Sequence, residues 1–123
     1  MKRKGGDSVE GKRAALYCRV DDNTPELYRP ALSIQRKRLE EFARKQGLKL
    51  TGYYEDAGYA GHDLTRPGLK QMLADWSEGK FDTVLVVKRT RLFRGSVWNE
   101  PKWPFPILSA AQLERDPYRE RKR

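Results

Sequence analysis

Four consecutive apolar residues, Val84 to Val87, run directly into Lys88, Arg89, Arg91 and Arg94. Nothing alternates within the run, so it reads as a strand buried on both faces. The cations then stand at the strand's carboxyl end. In open parallel α/β sheets that is where ligands bind. Arginine offers a planar fork of donors that fits phosphate oxygens, so Lys88, Arg89, Arg91 and Arg94 form a candidate phosphate site. A solvated basic turn is the plainer reading of such a cluster, and two other parts of the chain favour the sharper one.

The first lies near the start. Arg13 to Val20, RAALYCRV, reads as a strand buried over most of its length, and Arg19 interrupts its apolar pattern. A charge there needs a partner or a ligand. Asp21 and Asp22 follow in a loop with Asn, Thr and Pro, where capping or salt-bridging fits them better than a metal. Pro30 to Gln46 reads as a helix, with Pro30 in its first turn and Gly47 as its stop. Leu32, Leu39, Phe42 and Ala43 mark its inner face, with Gln35 and Gln46 in phase.

Leu48 to Glu55 is a second strand, followed by a loop from Asp56 to Thr65 that lacks a Walker-type signature. Arg66 sits just before Pro67. Pro67 to Glu78 is a second helix with Leu69, Met72, Leu73 and Trp76 on one face, a core pattern. His62, the single histidine, is expected in solvent. The order β-α-β-α-β implies crossovers, and hence a three-layer α/β fold on a mainly parallel sheet.

With 123 residues there is room for one domain. Only 37% of the residues are hydrophobic and 35% are charged, so part of the chain is expected to be tail. We divide it into a basic flexible arm (1–12), a core (13–96), and a Trp/Pro-rich segment with a basic tail (97–123). In that last stretch Trp98, Trp103 and Phe105 are expected as an extended cover over apolar surface, a base-stacking platform being the alternative. The net charge of +9 favours a polyanionic partner, nucleic acid before membrane. No apolar run reaches the roughly 18 residues that span a bilayer. Cys18 is the lone cysteine and no signal peptide is visible, so a reducing, cytoplasmic location is expected.

Four segments, in order, resemble the catalytic domain of the serine recombinases, the resolvase and invertase family, from about Arg13 to Gly95. ALYCRV is similar to the family's first strand, which ends Tyr-x-Arg-Val-Ser. LSIQRKRLEEFARKQG resembles its first helix, with Leu-x-x-Gln at Leu32 to Gln35. YYEDAGYAGHDLTRPGL is similar to its Asp-x-Gly-x-Ser-Gly…Arg-Pro-Gly-Leu loop. GKFDTVLVVKRTRLFR resembles its third strand and Asp-Arg-Leu-x-Arg motif. The resemblance implies site-specific DNA recombination, in which a serine hydroxyl attacks a phosphodiester and arginines stabilise the transferring phosphoryl group. The matching residues are Arg19, Arg66, Arg91 and Arg94. Gln35 falls at a polar position near the site. The implied phosphate-binding set is therefore Arg19, Gln35, Arg66, Lys88, Arg89, Arg91 and Arg94, with no metal and no cofactor.

This sequence departs from the family pattern at two site positions. Asp21 stands where the family has its serine, and Thr90 where it has the aspartate of Asp-Arg-Leu. Attack by Asp21 would give an acyl phosphate, which water destroys, so a broken strand end would not be stored for rejoining. Ser33, Tyr17 and Thr90 offer no clear replacement. The family domain also continues with a further strand and helix and a long dimer helix, which the Trp/Pro segment does not resemble, so a truncated domain is expected. Three functions remain open: a catalytically degenerate domain that binds DNA weakly or modulates a full-length recombinase, an interaction module without DNA, and an altered nuclease or recombinase.

Overall fold

The computed structural model describes residues 11–115. Arg13–Val20 forms β1, Pro25–Gln46 α1, Lys49–Ala57 β2, Pro67–Ser77 α2 and Thr83–Val86 β3. Arg89–Leu92 is a single turn, α3, and Ile107–Ser109 and Ala110–Arg115 follow as β4 and α4. The strand order is β2-β1-β3-β4, with every pair parallel.

Successive side chains of a strand point to opposite faces, and here both faces are covered. Ala14, Leu16, Cys18 and Val20 of β1 pack with Leu32, Leu39 and Phe42 of α1, joined by Leu85 and Val87. Ala15 and Tyr17 turn the other way, onto Leu69 and Met72 of α2, with Phe81, Val84 and Val86. The unbroken apolar run is thus shared between two cores, which is why it carries no polar residue. Burial pushes the Cys18 thiol up to about 12, so this cysteine packs as a small apolar group.

The crossover from β1 to β2 steps one way along the sheet, and the crossover from β2 to β3 steps back past β1. Right-handed crossovers in opposite directions set α1 and α2 on opposite faces. At that reversal the carboxyl ends of β1 and β3 stand side by side, the place where such sheets commonly bind ligands.

Three expectations change. Pro30 does not start α1. The helix begins at Pro25, and the Tyr28 N–H already donates to the Thr24 carbonyl at 2.8 Å, so Pro30 sits inside it. Gly47 does stop it, at φ 73°, the left-handed conformation open to glycine. The sheet has a fourth strand: β4 pairs with β3 through Val84–Ile107, Leu85–Leu108 and Val86–Ser109. The Trp/Pro segment covers apolar surface only in part. Phe105 is buried and stacks on Trp103 at 5.8 Å, whereas Trp98 faces solvent.

Of the expected arm, residues 1–10 lie outside those described, as do residues 116–123 of the tail. Gly11 and Lys12 are described. The Gly11 N–H donates to Gly47, and the Lys12 carbonyl accepts from Lys49. No helix among the described residues is long and apolar enough to cross a membrane.

Candidate functional site

Arg19 lies one residue before the end of β1 and Arg66 precedes α2, and both side chains are wholly buried. Each guanidinium turns inward. Arg19 Nε donates to the Arg91 carbonyl at 3.0 Å and Nη2 to the Thr90 carbonyl at 3.0 Å. Its Nη1 donates to the Tyr59 carbonyl at 2.8 Å and to the Asp21 carboxylate. Arg66 Nη1 donates to the Arg91 carbonyl at 3.2 Å, and Nη2 donates to the Leu92 carbonyl. The final carbonyls of a helical turn have no partners within it and carry partial negative charge. Two buried cations supply partners for those of α3.

The candidate cluster therefore has two tiers. Arg19 and Arg66 form the floor and hold α3. Lys88, Arg89, Thr90 and Arg94 are exposed and Arg91 is half-buried. Burial and the like charge of Arg19 lower the Arg91 guanidinium from its ordinary value. Asp21 opposes that shift, while Arg94 adds to it. Arg91 Nη1 also donates to the Arg19 carbonyl at 3.3 Å. Arg89 faces Glu100 at 3.6 Å.

Gln35 is placed at the end of β1, but its amide is committed. It accepts from the Arg19 N–H at 3.2 Å and donates to the Arg19 carbonyl at 3.0 Å, tying α1 to β1. Asp22 accepts from the Thr24 N–H at 2.8 Å, a local turn bond. His62 is exposed. Ser33 lies on α1, and Thr90 meets Arg19 through its carbonyl rather than its hydroxyl. Among the described residues, no three His, Cys, Asp or Glu side chains come together as a metal-binding group.

Two residues of the site escape a sequence reading. Asp56 is buried, and its carboxylate accepts from the Gly68 N–H at 2.7 Å and the Leu69 N–H at 3.0 Å, so it caps α2. It also accepts from the Tyr17 hydroxyl at 2.6 Å, and that hydroxyl accepts from Arg66 Nη1 at 3.1 Å. Burial, reinforced by the bond to Asp56, raises Tyr17 above its usual range, so the hydroxyl keeps its proton. Burial lowers the Arg66 guanidinium from its ordinary value, and its Nε lacks a hydrogen-bond partner. Gly68 is required at this cap, since a Cβ there would lie 2.5 Å from the Glu55 carbonyl oxygen.

The resolvase N-terminal domain family matches residues 14–97. Among solved structures, the N-terminal catalytic domain of TP901-1 integrase is 34% identical, with a TM-score of 0.63 over 68% of this chain and 62% of its own. A resolvase family site-specific recombinase from Streptococcus pneumoniae is 30% identical, with a TM-score of 0.56 over 68% of this chain and 58% of its own. The C-terminal catalytic domain of ISC1926 TnpA, an IS607-like serine recombinase, is 23% identical with a TM-score of 0.66, a likeness of fold. This chain therefore spans less than two thirds of the first and second of these structures. No curated protein sequence matches it. A parallel sheet in this order, two buried arginines at its reversal and the match across most of the core agree: the chain belongs to the serine recombinase family, through its resolvase-type N-terminal domain.

Proposed function

We propose that this domain binds DNA backbone phosphates through Lys88, Arg89, Arg91 and Arg94 and does not form a covalent link to DNA. Arg19 and Arg66 act beneath them as positioning residues. The observation that carries the reading is the Asp21–Arg19 ion pair. A carboxylate at the nucleophile's position is already paired with a floor guanidinium, and it repels an incoming phosphate. Thr90, at the position of the family aspartate, brings no carboxylate to Arg91.

Supercoiled plasmid incubated with the protein and run on a denaturing gel tests the proposal. No protein–DNA adduct is expected. An adduct that survives denaturation overturns the reading, and Mg²⁺-dependent cleavage abolished by Asp21→Ala would establish the altered nuclease instead. DNA binding is expected to weaken steeply as salt rises, as phosphate contacts require.

A second reading, an interaction module without DNA, draws on the same inward bonds, since a floor satisfied by carbonyls and Asp21 needs no phosphate to be stable. It expects no DNA affinity at any salt concentration. A full-length recombinase is then the natural partner to test.

A further inference from the structure

Trp98 is the most exposed large apolar side chain among the described residues, at 90%, and Val97 beside it is 75% exposed. Its aromatic neighbours do the covering. Trp103 stacks on Phe105, and Phe105 meets the edge of Trp76 at 5.7 Å. Trp98 has no part in those ring contacts, and the main chain that carries it is fixed in a turn. The Ser96 hydroxyl accepts from the Trp98 N–H at 3.1 Å, and the Asn99 N–H donates to the Ser96 carbonyl at 2.9 Å. A turn thus presents an indole to water four residues beyond Arg94.

Val97 also forms part of the wall of an open groove of about 600 Å³, shared with Arg89, Lys102, Trp103 and Ile107. The acidic residue in that wall, Glu100, is already engaged by Arg89 at 3.6 Å and by Trp103 Nε1 at 2.9 Å. Lys102 remains as an exposed cation of the groove, and Lys88 and Arg94 are exposed along α3 and the segment after it. An exposed indole next in sequence to a groove that carries Arg89 and Lys102 against a single carboxylate suits an unpaired nucleic-acid strand, whose bases have free π-faces and whose backbone tracks cations. Bases inside a duplex are already stacked and cannot use the indole.

We propose that the Val97–Trp103 segment binds single-stranded nucleic acid. An unpaired base stacks on Trp98, and the adjoining phosphates run along the groove past Arg89 and Lys102. The chain's net charge of +9 favours this polyanion over an acid-poor protein surface. The site is separate from the Asp21–Arg19 pair, and its preference for an unpaired strand goes beyond the phosphate contacts proposed above.

Fluorescence anisotropy with a roughly ten-nucleotide oligothymidylate, and with a duplex of equal length, tests it on the full chain. The single strand is expected to bind more tightly. Trp98→Ala should weaken single-strand binding about 5- to 100-fold and leave duplex binding unchanged, while Trp98→Phe retains part of the affinity. Lys102→Ala should flatten the salt dependence of single-strand binding. Equal binding of strand and duplex, or a Trp98→Ala protein that binds the strand as the parent does, overturns the proposal. So does Trp98-dependent self-association without any strand preference. Trp98 is so exposed that its replacement leaves the core untouched. Arg94→Ala read by duplex binding tests the phosphate site, and Trp98→Ala read by the ratio of single-strand to duplex affinity tests the base-stacking site, so the two readings fail separately.

Discussion

Arg19 presents no side-chain surface to water, whereas 59% of the Asp21 side chain is open. The buried partner needs the pair more than the exposed one does, because no water can take the carboxylate's place beside it; its other donors hold α3 through main-chain carbonyls. On the proposed reading, the exposed Asp21 carboxylate would repel phosphate from the cations above Arg19. Asp21→Asn keeps an oxygen for Arg19 and removes the charge. It should raise duplex-DNA affinity about two- to tenfold at low salt, with the gain shrinking as ionic strength rises. Anisotropy titrations at two salt concentrations measure this, and an unchanged affinity would mean that the carboxylate does not face the phosphate path. Tyr17 makes a second test at this scale. Its hydroxyl links Arg66 to Asp56 inside the core, so Tyr17→Phe leaves a buried donor and a buried acceptor each one bond short. The expected loss is about 1–3 kcal/mol in urea unfolding.

At the scale of elements, α3 is the piece that cannot stand alone. A turn of four residues gains too little from its own hydrogen bonds to persist in water. It is held by Arg19 and Arg66 from below and by the loop before α2 from the side, where the Arg94 N–H donates to the Gly61 carbonyl at 3.1 Å. At Gly61 a Cβ would lie 2.5 Å from the Arg94 Cβ and 3.1 Å from the Arg94 nitrogen. Gly61→Ala should therefore cost about 1–3 kcal/mol of stability and also weaken duplex binding. Calorimetry and anisotropy read the two effects, and a variant with unchanged stability and affinity would show that the loop does not brace α3. The same element shows what a sequence can reveal. Apolar runs and helical spacing mark β1, β3 and the inner face of α1, because burial dictates residue type there. Arg19 stands out as a charge in apolar company, and Arg66 through the resemblance of its Arg-Pro-Gly-Leu run to the family motif. Their direction does not, since most of their acceptors are carbonyls, which every residue carries. Tyr17 reads as an ordinary core aromatic, and Asp56 as a loop carboxylate, until folding brings β2 to α2. β4 is hidden for a similar reason. Three residues after a Pro-rich stretch have little propensity of their own and become a strand by pairing with β3.

Over the whole molecule, cations outnumber carboxylates by 26 to 17, so the carboxylates are the scarce charges. Several tie one element to another. Asp82 accepts from the Arg13 guanidinium at 2.9 Å and its N–H at 3.0 Å, joining the approach to β3 with the start of β1. Asp75 of α2 accepts from the Tyr54 hydroxyl of β2 at 2.6 Å and also faces Lys80. The bond from Arg13 holds the Asp82 carboxyl below its usual range, and the bond from Tyr54 does the same for Asp75. A carboxyl that is more acidic when folded than when unfolded contributes stability above the unfolded value, about 4, and loses it as pH falls through the folded value. Protonation also removes negative charge from a chain that already repels itself, so the loss below that point should be reinforced. Urea midpoints should be nearly level from about pH 7 to 5 and should fall below about pH 4. Asp82→Asn should flatten the acid limb modestly, because 41% of that side chain faces water and solvent screens the pair. An Asp82→Asn protein whose midpoint falls with acid as steeply as the parent's would place the acid sensitivity in other carboxylates, Asp75 first among them.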